Sequence, residues 1–184
     1  MPGLSNAGTG ARILHWFAAG LIFAMLGMGL VMVHSTMAPG LKFATYQLHK
    51  STGFFVLAVT LVRILWRVAG LGPLPPMDVS RWEYRLSRAV QAGLYGIVLA
   101  MIASGWLMAS TAALRVPILL PGGFTVPFLA DPDASLEAQT KLAHGVLSKL
   151  LIAAIVLHVI GAARHYRRLR QLRKHPTLPS RSAE

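Results

Sequence analysis

The sequence predicts an all-α integral membrane protein built as a bundle of four helices. Apolar residues make up 54% of the 184 residues, and the mean hydropathy is +0.55. Both values are too high for an ordinary soluble domain. Each of four apolar runs has about 20 residues, the length that crosses about 30 Å of hydrocarbon as a helix. These predicted spans are 13–33, 52–69, 89–110 and 142–163.

The basic residues predict the orientation of the chain in the membrane. The formal net charge of +12 comes mainly from the connection between spans 2 and 3 and from the basic tail, 164–184. The positive-inside rule then puts both termini in the cytoplasm, so that spans 1 and 3 run outward. Membrane topology therefore accounts for the charge, and we expect no nucleic-acid partner. Span 1 exceeds a signal-peptide core and lacks a clear cleavage site, so we expect it to be retained.

The segments outside the spans support a single domain over residues 1–184. Proline and glycine recur through the outer connection, 111–141, which predicts an irregular segment long enough to form a lid. The extreme end of the tail is polar and is expected to be disordered. The chain contains no cysteine, which excludes disulfides, iron–sulfur clusters and covalent c-type haem attachment.

Four histidines lie inside or at the edge of the apolar spans, where an ionisable side chain is costly and indicates a functional site. His15 lies near the start of an outward span and His158 near the end of an inward one, so both are expected near the cytoplasmic face. His49 and His144 both begin inward spans and are expected near the outer face. Topology thus predicts two histidine pairs at two depths.

The spacing within span 4 predicts that one helix serves both pairs. His144 and His158 lie about four helical turns apart, which places them on one helix face with a rise of about 21 Å. Each could ligate one of two stacked cofactors, and bis-histidine haem b is the occupant that we expect. Zinc is the competing metal, but a zinc site normally gathers three or four ligands at one level.

The same spacing predicts neighbours for each cofactor. Gly29 follows His15 at this spacing and should leave room at the outer cofactor's depth, and Gly53 should let a ring approach span 2. Close helix packing is the alternative role for both glycines. Arg63, which follows His49 at the same spacing, should lie at the inner cofactor's depth and bind a haem propionate. Arg12, one turn before His15, could help there.

Three short motifs resemble the bacterial cytochrome b561 family. Arg-x-x-His-Trp opens span 1 as Arg12–Trp16, Leu-His-Lys-Ser-x-Gly opens span 2 as Leu48–Gly53, and His144-Gly145 precedes His158 in span 4. The resemblance covers nearly the whole chain. It implies a multi-pass protein of the bacterial inner membrane with two haem b groups, whose iron ligands match the four histidines already described.

The resemblance also implies a link to the quinone pool. Family members are similar to quinone-linked electron carriers, and one branch oxidises superoxide at the outer face and reduces ubiquinone. Three outer carboxylates offset the outer positive charge, so steering of superoxide requires the cations to cluster. Catalytic residues are not identified by the sequence. The outer groups suited to attract an anion are Lys42, Lys50, Arg115, Lys141 and His34.

Lys149 is the other charged residue within a predicted span. It follows His144 by five residues, which turns it roughly 140° away from the ligand face of span 4. We therefore expect its side chain to snorkel to the outer interface. Contact with a quinone carbonyl or a propionate is the alternative role for Lys149. Lys42 and Lys50 are candidates for contact with a substrate or a quinone.

Three functional classes agree with these features. The first is a quinone-coupled oxidoreductase that acts alone. The second is a haem b electron-transfer subunit that docks to a partner protein, a dehydrogenase or a hydrogenase. The third is a non-redox transporter that passes metal ions along histidine and methionine side chains.

Overall fold

The computed structural model describes residues 3–71 and 80–174. Within these residues, four helices carry almost the whole fold, and two short strands pair between the last two. Each helix contains a segment long and apolar enough to cross a membrane. The predicted class, an all-α membrane bundle of four helices, is therefore confirmed. The elements are α1 (Gly3–His34), α2 (Pro39–Val68), α3 (Arg81–Thr111), β1 (Ile118–Leu119), β2 (Thr125–Val126) and α4 (Ala134–Lys174).

The helices extend well beyond the apolar runs of the sequence. α2 begins at Pro39 rather than near residue 52, because Pro39 suits the first turn of a helix and the polar residues after it continue the helix. α4 continues to Lys174 and so takes in the first part of the basic tail. The proline-rich connection 72–79 and the end of the tail, 175–184, lie outside the described residues.

The bundle consists of two helical hairpins. α1 packs along α2, and α3 packs along α4, whereas contact between the hairpins is sparser and is made largely between α2 and α3. At one end, here called the terminal end, the start of α3 meets the end of α4 through an ion pair of 3.0 Å between Glu83 and Arg168. The opposite end, with the α1–α2 and α3–α4 connections, is the loop end.

A small apolar core lies at mid-height of the bundle. Val56, Val98 and Leu151 are buried there, and apolar residues of α1, α3 and α4 pack around them. Leu151 is seven residues from both His144 and His158, which is about 10 Å along the helix from each. Most other large apolar side chains are exposed, as expected for helices that face lipid.

The connection between α3 and α4 is more ordered than the sequence indicates. β1 and β2 form a small antiparallel hairpin whose turn contains Gly122 and Gly123 at φ of 87° and 81°, backbone angles that glycine adopts at little cost. The prediction of an irregular segment is wrong for this part. Two-residue strands leave too little alternation in the sequence to be detected.

This connection packs onto the first half of α2 and covers part of the loop end. Gln47 donates to the Pro117 carbonyl at 2.9 Å, and the Ser51 hydroxyl donates to the Leu119 carbonyl. Ser110, at the end of α3, is fully buried and accepts from the backbone N–H of Leu129 at 3.0 Å. The segment is therefore fixed by hydrogen bonds at both of its sides.

Candidate functional site

The structure brings the four span histidines together as two pairs. The ring centres of His15 and His158 are 6.2 Å apart at the terminal end. Those of His49 and His144 are 6.5 Å apart at the loop end. All four side chains are half-buried, and both pairs bridge the two hairpins, since α4 faces α1 at one level and α2 at the other. These are the pairings expected from depth.

The spacing within each pair suits a metal ion held between two imidazoles. A metal–nitrogen bond of about 2 Å and about 1.2 Å from that nitrogen to its ring centre put the two ring centres about 6.4 Å apart. Both observed separations lie close to this value. Among residues 3–71 and 80–174, no three or more His, Cys, Asp or Glu side chains group to hold a metal ion. The donor set of the described chain is thus two nitrogens per level, which fits a bis-histidine haem.

The loop-end imidazole of His144 is oriented by α3. Its Nδ1 lies 3.1 Å from the Met101 carbonyl oxygen and 3.0 Å from the Ser104 hydroxyl. A backbone carbonyl can only accept, so Nδ1 of the neutral ring carries the proton. The other ring nitrogen, Nε2, is then left with a free lone pair for a metal.

The terminal-end imidazole of His15 has a different neighbour. A guanidinium nitrogen of Arg63 lies 3.0 Å from its Nδ1, which places Arg63 at the depth that its spacing from His49 predicts. Arginine only donates, so here Nδ1 accepts the hydrogen bond. The same guanidinium lies 5.6 Å from the ring centre of Tyr95 on α3, within the range of a cation–π contact.

The two glycines singled out by the sequence have different surroundings. A Cβ atom on Gly29 would lie 3.8 Å from Cε1 of His49, so Gly29 faces the loop-end pair as its spacing predicts. A Cβ on Gly53 would lie 3.6 Å from the terminal methyl group of Met25. Gly53 therefore lies in the contact between α1 and α2, which is the alternative role considered for it.

The candidate cations lie on separate surfaces of the bundle. Arg12 is exposed at the terminal end and donates to Thr9 of its own helix at 3.3 Å. Lys42 and Lys50 line an open groove of about 350 Å³ between α2 and Val116 of the α3–α4 connection. Lys149 is exposed on α4. It lines a separate, shallow groove together with Lys141. This position agrees with snorkelling of Lys149 to the interface.

Arg115, another candidate cation, is held within the α3–α4 connection. Arg115 donates to the Ala130 carbonyl at 2.8 Å and forms a 3.0 Å ion pair with Asp131. Its guanidinium also lies 5.1 Å from the ring centre of Phe128. Lys50, by comparison, makes one long hydrogen bond of 3.4 Å to the Val116 carbonyl. Arg115 is therefore held more tightly by the connection than Lys50 is.

Comparison with known proteins places these features in a family. The sequence profile of prokaryotic cytochrome b561 matches residues 6–174. The chain belongs to this family. Cytochrome b561 homolog 2 of Escherichia coli (strain K12), one relative of this family member, is 33% identical over 153 residues, which are 83% of this chain and 80% of that protein. This member of the cytochrome b561 family is accordingly a membrane haem b electron-transfer protein with several membrane-spanning helices.

Sequence reasoning did not find the contribution of α3 to the site of this cytochrome. The helix carries no histidine, so its rotation about its own axis had no chemical marker. Met101, Ser104 and Tyr95 nevertheless contact His144 or Arg63. The small residues Ser104 and Gly105 within an apolar helix were the available signal, because such residues mark close approach between membrane helices.

Proposed function

We propose that the protein holds two haem b groups, one between His15 and His158 and one between His49 and His144. The observation that carries this proposal is the ring-centre separation of 6.2 and 6.5 Å in the two pairs. Each haem, when bound, supplies an iron that accepts or releases one electron. The chain's own part is to supply paired nitrogens at two levels and to exclude water from the space between them.

Arg63 changes partner in this proposal. A neutral imidazole that binds iron through Nε2 carries its proton on Nδ1 and no longer accepts a hydrogen bond there. Arg63 therefore leaves His15 when the terminal pair is occupied, and its guanidinium becomes available to an anion at the same level. A haem propionate is that anion, because a charge-assisted bond to a carboxylate stabilises both partners. Arg12 is the second cation that we assign to this level.

The proposed orientation places the loop end at the outer face of the bacterial inner membrane. The basic start of α3 and the basic end of α4 are at the terminal end, so the positive-inside rule puts that end and both termini in the cytoplasm. The groove with Lys42 and Lys50 then opens to the outer side near the His49–His144 pair. Two lysines beside an exposed groove favour an anionic substrate there.

We further propose that superoxide is oxidised at the loop end and that ubiquinone is reduced. Superoxide becomes molecular oxygen by giving up one electron, and ubiquinone becomes ubiquinol by taking up two electrons and two protons. Two superoxide ions are thus consumed for each ubiquinone. The proposal rests on family membership and on the groove cations, and it makes the protein a quinone-linked oxidoreductase.

Purified protein in detergent is expected to couple superoxide to ubiquinone. Xanthine oxidase supplies superoxide, and ubiquinol formation is followed by absorbance with and without superoxide dismutase. A rate that depends on the cytochrome and is abolished by dismutase supports the proposal. Absence of this rate in protein with both haems bound would contradict the superoxide role and favour the alternative, an electron-transfer subunit for a partner dehydrogenase or hydrogenase.

Neutralising the groove is expected to slow this reaction. The double variant Lys42→Gln with Lys50→Gln should lower the rate at low superoxide about 10-fold or more and should flatten its dependence on salt, since the lost charges are those that attract the anion. Lys141→Gln is the matched comparison, because it removes a charge at the same end but outside the groove. Equal effects per charge at both places would show that only net charge matters.

A further inference from the structure

We propose that α3, which contributes no histidine, positions both ligand histidines of α4. Met101, Ser104 and Gly105 hold His144 at the loop end, and Gln91 is the corresponding residue for His158 at the terminal end. The proposal rests on the proposed haem ligation and adds to it the residues that orient two of the four imidazoles.

At the loop end, one turn of α3 gives His144 two hydrogen-bond acceptors. The Ser104 hydroxyl donates to the Met101 carbonyl at 2.9 Å, so its oxygen lone pairs are free to accept from Nδ1 of His144. The Met101 carbonyl accepts from the same nitrogen. Accepting groups at Nδ1 raise the basicity of Nε2 and so stabilise ferric over ferrous iron at that nitrogen. Ser104 therefore lowers the reduction potential of the loop-end haem.

Gly105 provides the space for this arrangement. A Cβ atom at position 105 would lie 3.1 Å from Cε1 and 3.4 Å from Nδ1 of His144. The distance to Cε1 is shorter than ordinary van der Waals contact, so the ring has to move by a few tenths of an ångström. Movement of the ring away from Gly105 would lengthen the hydrogen bonds from its Nδ1 to Met101 and Ser104. Glycine is thus the residue that lets α3 reach the ligand.

The packing of α3 against α4 also brings a residue of α3 to the level of His158. The two helices are antiparallel, and Gln91 precedes Gly105 by the same spacing that separates His144 from His158. Gln91 therefore lies at the level of His158. Its Oε1 atom is buried and has no hydrogen-bond partner among the described residues, whereas its Nε2 donates to Ser87 at 3.3 Å.

A buried carbonyl oxygen without a donor is destabilising, because it has lost its hydrogen bonds to water and has gained none in return. An imidazole that binds iron through Nε2 supplies the missing donor, its Nδ1–H group. α3 thus offers an accepting oxygen at each level. The Met101 carbonyl and the Ser104 hydroxyl lie at the loop end, and the Gln91 side chain lies at the terminal end. The two α4 ligands are oriented by the same helix.

Redox titration of the purified holoprotein tests the proposal. Ser104→Ala should raise the midpoint potential of one haem and leave the other unchanged, and Ser104→Thr, which keeps the hydroxyl, should stay near the wild-type value. Gln91→Leu should raise the potential of the other haem. Gly105→Ala should weaken retention of the first haem about 10-fold or more, the range expected when a ligand's orienting contact is disturbed.

Matched variants separate this role from general packing. Ser148→Ala removes a hydroxyl on α4 that donates to the Gly145 carbonyl of its own helix, and Gly96→Ala adds a Cβ on α3 that meets no atom within 4 Å. Both should keep two haems at unchanged potentials. The proposal is overturned if Ser104→Ala and Gln91→Leu leave both potentials unchanged, or shift the same one. Retention of both haems by His144→Ala would instead contradict the proposed ligation itself.

Discussion

Alanine at His15 or at His158 is expected to remove the same one of two haems, and alanine at His49 or His144 the other. Each histidine supplies one of two bonds that hold an iron, and no second side chain of the pair can replace it. Pyridine haemochrome analysis of the purified variants should give one haem per chain instead of two. The two groups of variants are told apart by the absorption spectrum of the haem that remains.

Double variants make this prediction sharper. The pair His15→Ala with His158→Ala should retain one haem, whereas His144→Ala with His158→Ala should retain none, because α4 serves both levels. His165→Ala is the control, an exposed histidine on α4 beyond the terminal pair, and it should keep two haems. Size-exclusion chromatography verifies that each variant is folded. Loss of both haems from a folded His15/His158 variant would contradict the two-level arrangement.

Arg63→Gln is expected to loosen the terminal-end haem selectively. A hydrogen bond to a charged partner contributes about 1.5–3 kcal/mol, which corresponds to about a 10- to 150-fold change in affinity. Transfer of haem to excess apomyoglobin should therefore show one of the two haems leaving about 10- to 150-fold faster than in the wild type. Arg63→Lys keeps the positive charge, so its rate of haem transfer should lie between those of the wild type and Arg63→Gln.

Arg67→Gln is the matched control for this measurement. Arg67 lies one turn beyond Arg63 near the end of the same helix, so it tests the effect of losing a basic residue from the terminal end of α2. Its haem transfer should follow the wild-type time course. Equal acceleration of haem transfer by both variants would assign the effect to overall charge. No acceleration by Arg63→Gln would show that Arg63 does not stabilise a bound haem.

The histidine pairs were accessible from sequence because they combine two independent constraints. Alternating spans set the depth of each residue, and a separation of about four helical turns sets a common helix face for His144 and His158. Arg63 and Gly29 follow from the same spacing, and the structure places both beside a histidine ring. Residues with strong chemistry on regular helices can be positioned in this way without knowledge of packing.

The surroundings of the histidines could not be predicted in the same way. The rotation of α3 about its axis depends on its packing against α4, and no residue type in the sequence indicates which face of α3 is packed. The contacts of Met101 and Ser104 with His144 are therefore visible only in the structure. The β1–β2 hairpin depends on two positive-φ glycines and on hydrogen bonds from α2. Both features arise from contacts distant in sequence, on which local patterns carry little information.

The apolar layer around Val56, Val98 and Leu151 has an electrical consequence. The two histidine levels on α4 are about 21 Å apart, which is about two thirds of a hydrocarbon thickness of about 30 Å. An electron that passes between them without a proton moves charge across most of the insulating layer. At about 2.3 kcal/mol per charge per 100 mV for the full thickness, the step couples to the membrane voltage by about 1.5 kcal/mol per 100 mV. With haems at the two levels, as proposed, the same layer that packs the bundle makes electron transfer through it sensitive to the membrane voltage.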